Sequence, residues 1–253
     1  MGRTTGAKKP VRTYVISLEN RKARGSGHER PEEILAAARE LFLEHGVENV
    51  STRQIAMRVG ISQTALYVYF RNKEVMLDSL VEAAFRKLGI TLARVEASYA
   101  DPIDYLRAAI PEYIHFGLQN PDEYRIAFLL RDARRKSSQL PEEKRRIGLE
   151  VFAAMEGRIA EGLASGALRS ASGSAHGSAQ ALWAAIHGLV ALLLAYPDFG
   201  WVPLDELITV HTDMLLDGLI AQGHKSMSKL AATSKSVSQL VTARRSPKGK
   251  SGA

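Results

Sequence analysis

Two glycines and two serines fix the local architecture of this chain more tightly than any other feature. They sit in "GVENVSTRQIAMRVGISQTALYVYF", Gly46–Phe70. Ser51 and Gln54 stand three apart, the spacing at which two side chains cap a helix N-terminus reciprocally. Gly60 stops the helix they start, because glycine enters the left-handed region without strain. Ser62 caps the next helix after a very tight turn. A helix this short is not stable alone. The segment must therefore fold as short helices meeting at a sharp corner and held by neighbours, a helix-turn-helix.

The rest of the chain reads as helix as well, with no run of alternating strands and no fixed repeat. Pro31, Glu32 and Glu33 open a first helix with an apolar stripe of Ile34, Ala38, Leu41 and Phe42. Gly46 is expected to end it as a left-handed cap. Asn72 caps a fourth helix that runs through Leu77, Leu80, Val81, Ala84 and Leu88. "DPIDYLRAAIPEYIHFGLQN" is a helix with Pro102 at its start; Pro111 inside predicts a kink or break. Asn120, Pro121 and Glu123 predict an N-cap and first turn. Ile147, Val151, Met155, Ile159 and Leu163 form the stripe of a long helix from about Pro141. "SGALRSASGSAHGS" is expected to be a loop. "AQALWAAIHGLVALLLAY", Ala179–Tyr196, is apolar on all sides, and the last amphipathic helix stops at Gly223. The expected fold is all-α: a compact N-terminal set of three helices and a larger helical bundle. The expected boundaries are a basic tail over 1–29, a helix-turn-helix domain over 30–77, a helical bundle over 78–223 and a second basic tail over 224–253.

Charge follows the same division. Residues 1–30 carry +6 and residues 224–253 carry +7 of the chain's net +7, so the middle is acidic. Both ends are read as mobile tails, either simply solvated or holding a polyanion such as DNA. "TYVISLEN", Thr13–Asn20, alternates like a strand but has no partner strand in the sequence. The chain has no cysteine, which excludes disulfides and thiol chemistry and fits a cytoplasmic location. The first thirty residues lack a long apolar core, so no secretory signal is expected. No phosphate-binding glycine loop, nucleophile elbow or zinc-protease helix occurs, and the histidines show no metal spacing. No catalysis, cofactor or metal is expected. The apolar Ala179–Tyr196 stretch lacks Lys/Arg anchors at its flanks, so it is read as a core helix rather than a membrane span. Ala184, Ala185, Gly188 and Ala191 permit close approach of a partner helix.

In helical projection Leu66 and Phe70 share one face of the third helix. Gln63, Thr64, Tyr67 and Val68 share the opposite face, and Tyr69 borders the two. That polar face suits a DNA major groove about 12 Å wide. Gln63 offers a donor and an acceptor to adenine, and Thr64 or Val68 offers an apolar seat for a thymine methyl. Tyrosine hydroxyls suit phosphate oxygens. Two readings of Tyr69 stand, core residue or phosphate contact. Arg53 likewise reads as a DNA contact or a solvated charge.

The stretch "ILAAARELFLEHGVENVSTRQIAMRVGISQTALYVYFRNKEVML" resembles the TetR family of one-component transcriptional regulators. The shared pattern is a helix ending in "HG", then "ST-R-IA", "G-S" and "LY-YF--K--L". The resemblance implies that Thr52 and Arg53 meet the DNA backbone. It implies that Ser62, Gln63, Thr64 and Ala65 enter the groove, and that Tyr67, Tyr69 and Lys73 meet phosphates. Thr64 and Ala65 stand where the family often has glycine or another small residue, which leaves the half-site sequence open. "WAAIHG", Trp183–Gly188, looks like the WHG type of TetR C-terminal domain, over roughly Pro102–Gln222. This implies a small-molecule effector, a homodimer formed by the last two helices, and a repressor on a palindromic operator in double-stranded DNA. Tyr105, Tyr113, Phe116, Tyr124, Phe128, Trp183 and His187 are the candidate lining of the effector pocket. His187 reads either as a ligand contact or pH-sensitive group in the pocket, or as a core histidine bonded to a backbone carbonyl or a buried water, and the core reading is preferred. "RDARRK", Arg131–Lys136, reads as an anion attractor or a solvated helix end.

Overall fold

The computed structural model describes residues 30–130, 142–170 and 173–221, with side chains from 146 onward in the second stretch. The basic ends, "TYVISLEN" and "RDARRK" lie outside the described residues. Backbone contacts divide the chain into two units. One runs to Ala84 and takes in the stretch that begins at Asp122; the other holds Phe85–Pro121 and the chain from Pro141 on. The fold is all-α. Among the described residues the one extended pairing is an isolated antiparallel bridge between Leu168 and Ile220.

In the first unit α1 spans Arg30–His45, α2 Thr52–Val59 and α3 Gln63–Tyr67; α4 begins at Lys73 and continues to Ser98. The capping box is present as expected. The Ser51 side chain accepts from the Gln54 N–H, and the Gln54 side chain accepts from the Ser51 N–H at 2.8 Å. Gly60 is left-handed, with φ 75° and ψ 30°. The Ser62 hydroxyl accepts from the Ala65 N–H at 3.1 Å. Each such cap stabilises its helix by about 1 kcal/mol. Gly46 departs from expectation. Its φ is positive, 77°, but its ψ of 148° lies outside the left-handed helical region. The chain there turns outward into a 3-10 turn over Val47–Asn49, which the sequence reading missed.

The unit's core is built from Ile34, Ala38, Leu41 and Phe42 of α1, Ile55 of α2 and Leu66 of α3, all nearly or fully inaccessible to solvent. Burying such a side chain contributes roughly 1.5–3 kcal/mol. Ile126, from a π-helical turn over Arg125–Leu129, joins this core, and Leu130 packs against it. A segment far along the chain thus closes the helical corner.

In the second unit α5 spans Pro102–Gln119, α7 Glu142–Ala164, α8 Ala175–Ala195 and α9 Leu204–Leu219; the short α6, Pro121–Tyr124, belongs to the first unit from Asp122 on and leads into the π-helical turn. Asp101 caps α5 with Pro102 at its first position. The helix is unbroken at Pro111. Buried residues on both sides of it, Leu106, Ile110, Tyr113 and Ile114, hold the two halves in one packing face. α5 is the hub and packs on α7, α8 and α9. Asn120 does not cap α6 with its side chain. Its amide donates to the Phe116 carbonyl at 2.8 Å and its oxygen accepts from Lys87, so it closes the end of α5 instead. α8 starts at Ala175, inside the expected loop, because Ser174 caps it through the Gly177 N–H. α9 ends at Leu219 rather than near Gly223. Ile220 turns extended to pair with Leu168, and the Arg169 N–H donates to the Leu219 carbonyl at 2.7 Å.

α8 is long and apolar enough to cross a membrane, yet only 33% of its most apolar window is buried. Its inner face, Ala179, Leu182, Ile186, Leu189 and Val190, is core. Leu192 on α8 and Val210 and Met214 on α9 are exposed.

Candidate nucleic-acid interface

The surface presented by α2 and α3 follows from how α3 is anchored. Leu66 is fully buried and Phe70 nearly so, which turns the opposite side of the helix to solvent. Gln63 and Thr64 are exposed, and Val68 is 78% exposed with no polar function of its own. α3 is shorter than the projection assumed. After Tyr67 the bonds tighten to the i−3 pattern, Val68 to Ala65 and Tyr69 to Leu66. Tyr69 therefore lies in the turn after the helix, 40% exposed.

Three side chains on this surface meet. The Gln63 amide nitrogen donates at 3.0 Å to both the Thr52 hydroxyl and the Tyr67 hydroxyl. Those two hydroxyl oxygens are 3.2 Å apart. Thr52 belongs to α2 and the other two to α3, so the cluster ties the two helices together at their exposed edge. Ser62 and Ala65 are spent on the N-cap, although the Ser62 hydroxyl proton remains available. Arg53 and Arg71 are exposed and make no ion pair among the described residues. Arg58 is paired with Glu40 at 2.8 Å and Arg39 with Glu123 at 3.5 Å.

Against known sequences, residues 34–80 match "Bacterial regulatory proteins, tetR family", and residues 106–215 match "Tetracyclin repressor-like, C-terminal domain". The chain belongs to the TetR family. Tetracycline repressor protein class A from transposon 1721 of Escherichia coli is 46% identical over 54 residues, 21% of this chain and 25% of that protein. The nucleoid occlusion factor SlmA of Vibrio cholerae is 31% identical over 98 residues, 38% of this chain and 50% of that protein. The chain thus spans about a quarter of the length of the tetracycline repressor and half that of SlmA. A solved TetR-family regulator from Shewanella sp. PV-4 shares the fold, with TM-score 0.62 at 16% identity, over 76% of this chain and 99% of its own.

Within this TetR-family head Lys73 is not the free phosphate contact expected of it. Its ammonium donates to the Val47 carbonyl at 2.7 Å and the Val50 carbonyl at 3.0 Å, with the Glu48 carbonyl at 3.4 Å. Those carbonyls end the 3-10 turn, where partial negative charge accumulates. An ammonium has three protons, so Lys73 staples the turn to the start of α4. Glu48 and Glu74 line the adjoining concavity with Thr52, Tyr67 and Lys73, which disfavours an anion there.

The candidate effector residues fall into two groups. Tyr113, Trp183 and His187 meet in the second unit. The Trp183 indole donates to the Tyr113 hydroxyl at 3.3 Å, and the Trp183 and His187 rings lie 5.7 Å apart. Phe152 and His176, which the sequence reading missed, extend this cluster by edge contacts. Phe152 lies on α7 and His176 in the first turn of α8; α7 carried a stripe signal but nothing that pointed across to α8. Phe116 is buried one turn beyond Tyr113 on α5. Tyr124 and Phe128 belong to the first unit, where their rings pair at 4.8 Å and Tyr124 is fully buried. Tyr105 is core: the Arg158 guanidinium lies over its ring at 5.4 Å. Burial, with the Glu96 charge, pushes its hydroxyl up to about 12.

Burial lowers the pKa of His187. It lowers that of His211 too, against the opposing pull of a bond to the Ala185 backbone; the His211 Nε2 is buried without a partner.

Two outcomes follow from this geometry. Lys73→Met removes the ammonium these carbonyls share, leaving Val47 only the Val50 N–H, and is expected to lower unfolding free energy by about 1–3 kcal/mol in denaturant titrations. A mere phosphate contact leaves stability unmoved. His187 and His211 titrate lower in the folded chain than in the unfolded chain, where histidine sits near about 6.5. The unfolded chain therefore takes up protons first as pH falls. Their contribution is full above about pH 6.5 and is lost as pH falls through the folded values. The thermal midpoint is expected to drop between about pH 7.5 and about pH 5.5. Replacing both histidines by glutamine shrinks that drop.

Proposed function

We propose that this chain is a sequence-specific, ligand-responsive regulator of transcription that binds palindromic double-stranded DNA as a homodimer. In this reading it is a cytoplasmic repressor released from its operator by a small apolar molecule. The observation that carries it is the outer face of α3: polar and small residues turned to solvent on a helix whose other face is locked in a core. The apolar outer side of α8 and α9, with Leu192, Val210 and Met214 exposed, supports pairing of two copies through these helices. Two α3 helices then address half-sites about one helical turn apart.

Gln63, Thr64 and Ala65 supply base contacts. Thr52, Arg53, Ser62, Tyr67 and Tyr69 position the head on the backbone. The aromatic cluster of Tyr113, Trp183 and His187, extended by Phe116, is the proposed effector site, in a domain of WHG type. Effector binding favours one arrangement of the helical bundle, and the continuous α4 carries the change toward the helix-turn-helix. Only a difference in effector affinity between two arrangements can drive this.

The head itself supplies little attraction. Residues 31–77 carry five Lys/Arg and six Glu, and several of those cations are paired. The basic N-terminal stretch supplies the missing charge. The test is the affinity ratio of the full chain for a selected palindrome over random duplex at fixed salt. A regulator gives a ratio of about 10³ or more; a ratio near unity contradicts the reading. Deleting residues 1–28 is expected to flatten the slope of log K against log salt while preserving that ratio. An unchanged slope removes the tail from the mechanism.

A further inference from the structure

An exposed glutamine ordinarily samples several rotamers, and ordering one on a ligand costs side-chain entropy. Gln63 is exposed but not free. Its amide nitrogen is held at 3.0 Å by Thr52 from α2 and at 3.0 Å by Tyr67 from one turn further along α3. The two hydroxyls also touch, at 3.2 Å. The proton inventory fixes which end of the amide points inward. With nitrogen inward, the amide protons serve both hydroxyl oxygens and one hydroxyl proton serves the third contact. With the carbonyl inward, two hydroxyl protons would have to satisfy three contacts. The carbonyl oxygen therefore faces outward as an acceptor, the chemistry that recognises the exocyclic amine of adenine or cytosine in a major groove.

We propose that the Thr52–Tyr67 hydroxyl pair sets the sequence specificity of this protein by presetting the Gln63 amide. Both residues are positioning residues for a base contact, beyond any contact they make to phosphate. The proposal rests on the DNA-binding reading above. It differs from a phosphate role in one measurable way. Losing a phosphate contact weakens every sequence alike, whereas releasing Gln63 changes discrimination at one base pair.

The experiment uses the full chain and the palindrome it selects from a randomised duplex pool, with each half-site base pair replaced in turn. Gln63→Ala locates the base pair that Gln63 reads. Tyr67→Phe and Thr52→Val are each expected to lower discrimination at that same base pair by about threefold or more. Discrimination elsewhere should hold within about twofold. Thr52→Ser, which keeps the hydroxyl, is expected to retain the wild-type profile, and unchanged unfolding midpoints exclude a misfolded head. Equal weakening on every duplex by Tyr67→Phe and Thr52→Val overturns the proposal and leaves the DNA-binding reading intact. So does a Gln63→Ala variant that relaxes no position. A wild-type chain with no preference among duplexes overturns both.

Discussion

The burial of Leu66 is the contact on which the N-terminal unit depends. α3 has five residues, too few to hold helical form in water by its own hydrogen bonds. It persists because Leu66 and Phe70 are locked between α1 and α2, beside Phe42 and Ile55. The same lock fixes the rotation of the helix and hence which residues face outward. That rotation sets the whole outer face of the helix, from the Gln63 cluster to the exposed Val68. Ile126 from the π-helical turn belongs to the same core, so the corner is held from a distant part of the chain as well.

Electrostatics divide the labour in an unexpected way. Arg39 and Arg58 are tied to carboxylates, and Lys73 is spent on the carbonyls of the 3-10 turn. Exposed ion pairs of this kind contribute at most about 1 kcal/mol each, but they neutralise cations that would otherwise face a polyanion. The head is therefore shaped for recognition and weakly charged for attraction. In the proposed reading the strongly basic ends of the chain supply the remainder.

Much of the fold was legible because helix punctuation is a local code. Ser51 with Gln54, Gly60, Ser62, Asn72 and Pro102 each act within a turn of their own position, and each stands where the sequence placed it. What escaped was set by partners distant in sequence or by competition among local ones. Asn120 had the Phe116 carbonyl, the Lys87 ammonium and an N-terminus within reach and closed α5 rather than opening α6. Leu168 pulled Ile220 out of helical form. Lys73 found the 3-10 turn, itself unmarked in the sequence. The Gln63 cluster was missed for the same reason: projection of α3 alone shows its outer face but not the Thr52 hydroxyl brought from α2. In the second unit Trp183 and His187 were visible one turn apart, while Phe152 and His176 required the packing of α7 on α8.

A footprint tests the central claim most directly. Base methylation protection of the selected duplex by the full chain reads which grooves the outer face of α3 enters. The expected pattern is two protected major-groove patches on one face of the duplex, centred about 10 base pairs apart and related by a two-fold axis. Protection spread evenly along the duplex, or confined to the minor groove, would contradict it.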